Sequence, residues 1–446
     1  MTQAAASRAD CERLDRDDPI RAFRDRFRLP PGVIYLDGNS LGALPKAAAR
    51  RVAEVVDVEW GEHLVDGWLK DNWMGLSEVL GDKVAKLIGA DPGEVIVVYT
   101  TSINVHKVIA AAMLMRPDRR TLLTDSGNFP TDVYMAQGLV EFLERQHRIK
   151  VVGEEEVAEA IDEDTAAVFL TQLNYRTGRL HDMARITRAA HAKGALAIWD
   201  LAHTAGCVPI ELNRIQADFA VGCGYKYLNG GPGAPAFVFA PKRHHDKVRQ
   251  PLTGWLGHAN PFEFGLDYKP AKGIRQWRAS SPPILGIVAM EAGIDDMIEF
   301  GVERVREKSL ALTGLFMNLV DARLARHGFS IATPRAPGSR GSQVALRHKN
   351  GWPVMQALKA RKVIGDFREP DIVRFGFAAP YVRFVDIWDA VDHLTQVMET
   401  GEWKKPEFQA KKWVTLARHR RSGHATETKR ARSYCMRGAA ITARAT

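Results

Sequence analysis

One stretch decides the fold: ALAIWDLAHTAG, residues 195–206. A short apolar run leads to Asp200, and His203 follows in the same stretch. Such a run is typical of a buried strand, and a carboxylate at its end is costly to bury unless a cation meets it. A protonated pyridine nitrogen would be a suitable cation. The alternative is that Asp200 caps a helix, because Asp also favours the N-cap position.

A second stretch places a lysine after the next apolar run. Phe219–Gly222 leads into CGYKYLNGGPGAP, residues 223–235, in which Lys226 lies between two tyrosines. A lysine that holds a ligand through its amine must be fixed in place and be neutral part of the time. The glycines allow the backbone to approach a ligand closely. Most lysines are solvated surface charges, so the position of Lys226 after a strand, like that of Asp200, is what favours a chemical role.

Two earlier strand ends carry residues suited to a flat, anionic ligand. Thr101 and Ser102 follow the run Val95–Tyr99 at the start of a helix, where N–H groups and the helix dipole favour a phosphate. Ser and Thr also cap helices routinely, so this signal is weak alone. Phe129 follows the run Thr121–Asp125 and could stack on a flat ring, although an aromatic there is more often part of the core.

The order of the elements predicts an α/β fold. Between residues 77 and 240 short apolar runs alternate with helical stretches, which is typical of a mostly parallel sheet covered on both faces. Functional residues then collect at the carboxyl ends of the strands. The predicted strands are Val33–Leu36, Val95–Tyr99, Thr121–Asp125, Ala166–Leu170, Ala195–Asp200, Phe219–Gly222, Ala236–Phe239, Gln343–Leu346 and Ile372–Gly376. The predicted helical stretches are Pro19–Arg28, Pro45–Trp60, Asn104–Met115, Met183–His191, Gly293–His327 and Ile387–Thr400.

This pattern predicts two domains of unequal size. We expect a large ligand-binding domain over residues 61–290 and a smaller α/β domain over residues 291–412. Residues 1–60 are expected to join the small domain. Residues 413–446 lack a convincing periodicity and are predicted to form a basic, disordered tail.

The composition limits the class of protein. Of the 446 residues 46% are apolar, and no uncharged apolar stretch approaches the ~20 residues of a membrane helix. The four cysteines form no CxxC pair, which argues against a zinc site and against a disulfide framework. Unpaired cysteines are expected in the reducing cytoplasm. The first 18 residues are too acidic for a secretory signal. We therefore predict no membrane attachment and no bound metal.

The net charge of +9 belongs to the C-terminal tail. Residues 411–446 contain ten Lys and Arg residues and one acid, Glu427, so the rest of the chain is neutral. A basic tail could attract nucleic acid in a salt-dependent way, but a run of charges is more often only solvated. The neutral body predicts no nucleic-acid partner.

From about residue 20 to 413 the chain resembles the kynureninases, fold-type I enzymes that use pyridoxal 5′-phosphate (PLP). YKYLNGGPG and WDLAH are together highly specific for this family, and GNSLG adds to them. The similar segments are YLDGNSLG (35–42), EWG (59–61), FPTD (129–132), NYRTG (174–178), WDLAH (199–203), YKYLNGGPG (225–233), GW (254–255) and RFGF (374–377).

The resemblance implies a set of roles at these positions. Lys226 is expected to hold PLP as a Schiff base and to move protons, Asp200 to pair with the pyridine nitrogen, and Tyr225 to donate a proton. Arg374 is expected to bind the substrate's α-carboxylate as a fork, its alternative being a surface ion pair. The expected cofactor contacts are Thr101, Ser102, Phe129, Asp132, Thr171, Asp200, His203, Tyr225, Lys226, Trp255 and Ser281, and the further substrate contacts are Asn39 and Ser40.

The resemblance also implies a reaction and an assembly. The reaction is hydrolytic Cβ–Cγ cleavage of L-kynurenine to anthranilate and L-alanine in tryptophan catabolism, with 3-hydroxykynurenine as a further candidate substrate. A homodimer is expected, in which Trp255 and Ser281 come from the partner subunit.

Two rivals share this scaffold. A cysteine desulfurase needs a nucleophilic cysteine in its C-terminal part, where only Cys435 of the tail is present. An aminotransferase is not excluded by composition and is disfavoured only by the segments GNSLG and YKYLNGGPG.

Overall fold

The computed structural model describes residues 7–143 and 147–411. Residues up to Gln409 form one compact unit, and Ala410–Thr446 form a second, nearly all of which lies outside the described residues. The prediction of a disordered tail therefore falls on residues whose structure is not described.

Twelve α-helices lie in the described ranges. They are α1 Arg8–Asp17, α2 Lys46–Glu54, α3 Gly67–Lys70, α4 Leu76–Ile88, α5 Thr101–Leu114, α6 Pro130–Leu143, α7 Met183–Ala192, α8 Ile284–Phe300, α9 Val302–Leu324, α10 Gly351–Ala360, α11 Phe384–Glu399 and α12 Pro406–Gln409.

Fifteen strands accompany them in the same ranges. They are β1 Phe27–Arg28, β2 Ile34–Tyr35, β3 Leu44–Pro45, β4 Val95–Val97, β5 Thr121–Asp125, β6 Arg148–Val152, β7 Thr165–Thr171, β8 Leu196–Asp200, β9 Phe219–Cys223, β10 Ala236–Phe239, β11 Ser330–Ile331, β12 Gln343–Arg347, β13 Val363–Ile364, β14 Asp366–Arg368 and β15 Ile372–Gly376.

The main sheet has seven strands in the order β4-β10-β9-β8-β7-β5-β6. Neighbouring strands from β9 to β6 are parallel, and β10 is antiparallel to both β9 and β4. Only β10 therefore runs against the others. Every residue of β4, β5, β7, β8, β9 and β10 is buried, as expected for strands covered on both faces. The predicted mostly parallel sheet is confirmed.

A second sheet lies in the C-terminal part of the chain. Its four strands are antiparallel, in the order β11-β12-β15-β14. The N-terminal segment contacts this part: β2 pairs with β13, and Asp15 of α1 accepts hydrogen bonds from the N–H groups of Phe384 and Val385 at the start of α11. The expected domain bounds stay predictions, and α8 spans the expected boundary between residues 290 and 291.

Several elements differ from the sequence predictions. The predicted helix Pro19–Arg28 is a 3₁₀ turn, Arg21–Arg26, followed by β1. The α-helix lies earlier, in α1, where Ser7 and Asp10 form a capping box. Strand β6 was missed because it is a partly exposed edge strand that carries Arg148 and Lys150, so it lacks a continuous apolar run.

The predicted helical stretch Gly293–His327 is two helices. Gly301 separates α8 from α9 with φ +76°, a left-handed value that favours glycine and ends a right-handed helix. Among the described residues no helix is long and apolar enough to cross a membrane.

Candidate active site

The predicted site residues lie at one edge of the main sheet. Strand β8 ends at Asp200, β9 ends just before Lys226, and β7 ends at Thr171. Thr171 and Asp200 are register partners in adjacent strands. Because these strands are parallel, their carboxyl ends meet at the same edge. The turn that carries Phe129 follows β5 at that edge.

The amine of Lys226 contacts His203. Its Nζ lies 2.9 Å from His203 Nε2, 6.0 Å from the centre of the Phe129 ring and 5.7 Å from the centre of the Tyr225 ring. Burial, and then the charge of Lys226, lower the pKa of His203 well below its ordinary value. A histidine in this state is neutral at pH 7, so it offers the lysine a hydrogen-bond partner without adding a second positive charge.

Asp200 and Asp132 form a pair of buried carboxyl groups. Asp200 is 5% exposed and accepts a hydrogen bond from the Ala202 N–H at 2.7 Å. Asp132 Oδ2 is buried without a hydrogen-bond partner among the described residues. Burial raises the pKa of both carboxyl groups, and the proximity of Asp200 raises that of Asp132 further, whereas Lys226 opposes the shift. The positive charge near the two carboxyl groups is therefore not enough to compensate for their burial.

The incompletely compensated charge of Asp200 and Asp132 is a feature that PLP would suit. A protonated pyridine nitrogen would supply the missing charge beside Asp200, and the Phe129 side chain, which is 37% exposed, presents an aromatic face near Lys226. Turns follow Asp200 rather than a helix, so the alternative of a helix N-cap at Asp200 is wrong.

The start of α5 suits a phosphate. Thr100 caps this 14-residue helix by accepting a hydrogen bond from the Ile103 N–H, and Thr101 Oγ1 is buried without a partner among the described residues. Ser102 is the next residue of the helix and is partly buried. An unpartnered hydroxyl beside the free N–H groups of a helix start fits an anionic group.

Arg374 lies in a buried cluster and not on the surface. Its side chain is 1% exposed, so the alternative of a surface ion pair is wrong. Its guanidinium pairs with Asp366, and its Nη2 donates to Ser40 Oγ at 3.1 Å. With its amide oriented to satisfy both groups, Asn39 accepts from Arg374 Nε at 3.0 Å. Three predicted substrate contacts are thus brought together.

Two routes connect this cluster with Lys226. The Tyr175 carbonyl accepts a hydrogen bond from Arg374 Nη1, while the Tyr175 and Phe129 rings form a T-shaped pair with ring centres 5.1 Å apart. The Gly42 N–H, in the segment of Asn39 and Ser40, donates to the Tyr225 carbonyl at 2.8 Å.

Trp255 and Ser281 lie elsewhere in the chain. They line an apolar cavity of about 610 Å³ together with Trp68, Leu69 and Phe262. None of the other predicted site residues lines this cavity. Within the described ranges, neither residue makes a hydrogen bond or ring contact with Lys226, and their expected place in a partner's site stays a prediction.

Two residues of the Arg374 cluster were not predicted from the sequence. Asp366 and Arg368 lie on β14, and Asp366 is the register partner of Arg374 on β15. The segment GDFREPDIVRFG, residues 365–376, contains all three, but nothing in it shows that a turn folds Asp366 back against Arg374. The described residues contain no group of three or more His, Cys, Asp or Glu side chains arranged to bind a metal.

Comparison with known proteins identifies the family. Residues 305–394 match the family model of the kynureninase C-terminal domain. A kynureninase from Burkholderia pseudomallei (strain 1106a) is 47% identical over 414 residues, which cover 92% of this chain and 100% of that protein. The chain belongs to the kynureninase family. A kynureninase from Pseudomonas fluorescens shows the same identity and coverage. This membership confirms the predicted family, the predicted kynureninase function and the predicted cofactor, PLP.

Solved structures confirm the fold. A cysteine desulfurase from Thermococcus onnurineus NA1 matches with a TM-score of 0.72 at 18% identity, over 85% of this chain and 98% of that one. A variant of C-DES with glycine covalently linked to its PLP cofactor matches with a TM-score of 0.73 at 14% identity, over 83% of this chain and 98% of that one. At these identities the likeness concerns the fold alone.

Proposed function

We propose that this kynureninase-family chain is a hydrolase that cleaves the Cβ–Cγ bond of L-kynurenine with one water molecule, giving anthranilate and L-alanine. The observation that carries the proposal is the contact of the Lys226 amine with neutral His203, close to two buried carboxyl groups whose pKa stays raised despite the charge of Lys226. 3-Hydroxykynurenine is a further candidate substrate.

PLP, when bound, supplies an electron sink that makes the substrate's α-proton removable. Lys226 would hold the cofactor, and its free amine would accept that proton. The Asp200 carboxylate would stabilise positive charge at the ring nitrogen, and its burial would strengthen the interaction. Phe129, whose ring centre lies 6.0 Å from Lys226 Nζ, would support one face of the ring.

Tyr225 is assigned as a proton donor. Burial, followed by the proximity of Cys223, raises the pKa of its hydroxyl, which therefore keeps its proton at neutral pH. Its ring lies close to the amine of Lys226, so the two groups can serve the same substrate. Arg374, with Asn39 and Ser40, binds the α-carboxylate and fixes which substrate bonds face Lys226.

The assembly we propose is a homodimer in which Trp255 and Ser281 complete the partner's site. Large apolar side chains around Trp255 are exposed, with Leu69 at 87% and Phe264 at 72%, and a continuous patch of this kind marks an interface. Mixing inactive Lys226→Ala dimers with Trp255→Ala dimers under exchange conditions should restore part of the activity. No restoration in verified heterodimers would contradict a shared site.

A cytoplasmic location is part of the proposal. Cys11, Cys207 and Cys223 are buried and unpaired, and unpaired cysteines are typical of a reducing compartment.

The reaction is tested directly with the purified holoenzyme. L-Kynurenine should yield anthranilate, followed by its fluorescence, and an equal amount of alanine, and Lys226→Ala should abolish both. A protein that shows the PLP spectrum but forms no anthranilate would contradict the proposed reaction while leaving the cofactor assignment intact. Turnover only with an added amino acceptor would favour an aminotransferase.

A further inference from the structure

The guanidinium of Arg374 is held along one edge by the Asp366 carboxylate, and the Asn39 amide oxygen is a further acceptor at that edge. Arg374 Nε donates to Asp366 Oδ1 at 2.9 Å, and Nη2 donates to Asp366 Oδ2. Two parallel N–H···O bonds of this kind define the plane of a guanidinium as well as its position. Asp366 is the cross-strand partner of Arg374, so the backbone of the antiparallel pair fixes the carboxylate in turn.

The remaining contacts leave one N–H of the guanidinium for a ligand, so they do not provide the pair of N–H groups that the expected fork to the α-carboxylate needs. Nη2 also donates to Ser40 Oγ at 3.1 Å, and Nη1 donates to the Tyr175 carbonyl. These bonds use four of the five N–H groups of an arginine, and the remaining one is on Nη1. Asp366 binds Nε and Nη2, on the side of the guanidinium away from Nη1. The free N–H on Nη1 is therefore the one available to a further acceptor.

The charges of the cluster favour an anion as that acceptor. Arg368 Nη2 also donates to Asp366 Oδ2, at 2.8 Å, so two guanidinium groups share one carboxylate. Burial opposes ionisation of Asp366, but Arg374 and then Arg368 lower its pKa below the ordinary value. Burial and the charge of Asp366 raise the pKa of neighbouring Asp37 to about 6, so this carboxyl is protonated only below that pH.

This cluster lies close to Lys226. The positive charges of Arg374 and Arg368 both act on His203, which contacts the Lys226 amine at 2.9 Å. Ser40 Oγ donates to Asp366 Oδ2 at 2.8 Å while it accepts from Arg374, so the segment that also carries Asn39 is tied to the same carboxylate.

We propose that Asp366 is the positioning residue for Arg374: it holds the Nε–Nη2 edge and thereby presents Nη1 to the carboxylate of the amino-acid substrate. Asp366 acts through Arg374 and does not touch the substrate. Arg368 balances the charge of Asp366, so that the charge of Arg374 remains available to the ligand. The inference rests on the proposed function only in taking an α-amino acid as the ligand.

Carboxylate recognition is tested by binding rather than turnover. The dissociation constants of L-alanine and of L-alaninamide, which lacks the carboxylate, are measured from the change in the PLP absorbance of the holoenzyme. The native holoenzyme should prefer alanine. In Asp366→Asn the preference should fall by about 10- to 100-fold, the effect of losing charge-assisted bonds that orient an arginine. The affinity for alaninamide should change less than threefold.

A matched control lies in the same sheet. Asp371, which is partly buried, pairs with the exposed Arg347 at 3.2 Å and takes no part in the described contacts of Arg374. Asp371→Asn should leave the preference for alanine unchanged. A second variant, Asp366→Glu, keeps the charge but moves it by one methylene group, so we expect an intermediate loss.

The outcomes separate the inference from the proposed reaction. An unchanged preference for alanine in both Asp366 variants overturns the positioning role. With L-kynurenine as substrate, Asp366→Asn should raise KM and leave kcat within a few-fold, whereas a purely structural loss would lower both ligand affinities and kcat together. If the native enzyme forms no anthranilate but Asp366→Asn still loses its preference for alanine, the positioning role stands and the proposed reaction fails.

Discussion

Two buried aspartates lie at opposite ends of the strands of the main sheet. Asp218 precedes β9, and its side chain lies at the amino ends of the strands, where the Ala197 N–H donates to it at 2.8 Å. Asp200 ends β8, at the carboxyl ends. Both are nearly inaccessible to solvent, at 2% and 5% exposed. Residue type, burial and sheet are the same, so any difference between them comes from their partners.

Those partners differ sharply. Asp218 is bonded to His191 Nε2 at 2.7 Å and to His244 Nε2 at 2.8 Å, with Arg243 at 3.2 Å. Burial alone would raise the pKa of Asp218, but the hydrogen bonds from His191 and His244 outweigh it and lower the pKa well below the ordinary value. The pKa of Asp200 is raised, chiefly by burial, and the described residues give it only one backbone donor.

The comparison separates a carboxylate whose partners all come from the chain from one that we propose pairs with the cofactor. Asp218 is satisfied by the chain itself, so it contributes to the stability of the fold. Burial of the Asp200 carboxylate lowers the stability of the folded chain when no cofactor is bound. Such a loss of stability is typical of residues in functional sites. The two residues should therefore respond in opposite ways to the same substitution.

Asp200→Asn should have the largest effect on activity. An amide cannot compensate a protonated ring nitrogen, and loss of one partner of a buried charge pair costs about 3–4 kcal/mol, so kcat/KM for L-kynurenine should fall roughly 10²- to 10³-fold. Anthranilate formation measures this. The free energy of unfolding of the PLP-free protein should not fall. Activity within tenfold of the native value would contradict the proposed pairing of Asp200 with the ring nitrogen.

Asp218→Asn should act on stability instead. Hydrogen bonds from cationic or imidazole donors to a buried carboxylate are worth about 1.5–3 kcal/mol, so the free energy of unfolding in urea should fall by about 2–3 kcal/mol. The kcat of the folded enzyme should stay near the native value, because Asp218 lies at the edge of the sheet opposite Lys226. A loss of kcat as large as that of Asp200→Asn would contradict the contrast between the two edges.

The pH dependence of stability should show the same contrast with a smaller effect. A carboxyl whose folded pKa is lowered stabilises the fold above its unfolded pKa of about 4 and loses this contribution as the pH falls through the folded value. The deficit of Asp218→Asn should therefore be present at pH 5–7 and shrink on acidification.

Asp132 has a raised pKa and should show the opposite sign. In the PLP-free protein its ionisation destabilises the folded state as the pH rises from about 4 through the folded value. Asp132→Asn should thus gain stability relative to the native apoprotein as the pH rises, and the gain should vanish below pH 4. Urea unfolding across pH measures both variants; a gain for Asp132→Asn that does not depend on pH would contradict the raised pKa.

Much of this site could be predicted from local sequence. The apolar runs before Asp200 and Lys226 predicted two strands, and the structure has them within a residue at each end. Parallel strands bring their carboxyl ends to one edge, so a correct strand pattern also predicted that Asp200, His203 and Lys226 would meet. The contact of Lys226 with His203 is the result.

Other features depend on contacts that no local pattern reports. Strand β6 was missed because an edge strand needs no continuous apolar run. Helix α1 was not predicted, because only Cys11 of its ten residues is buried and its contacts are with distant residues of α11. The partner of Arg374 was missed because the register of β14 against β15 decides which acid faces it.

The sequence by itself determined the family, the α/β alternation and the residues proposed to contact PLP, because these depend on short apolar runs and on specific segments around Asp200 and Lys226. Only the tertiary structure decided how the buried charges are balanced. Asp200 and Asp218 cannot be told apart by residue type or by burial, and Asp366 cannot be assigned to Arg374 by spacing. The pKa of a buried carboxyl is set by the groups within a few ångströms, and those groups come from distant parts of the chain.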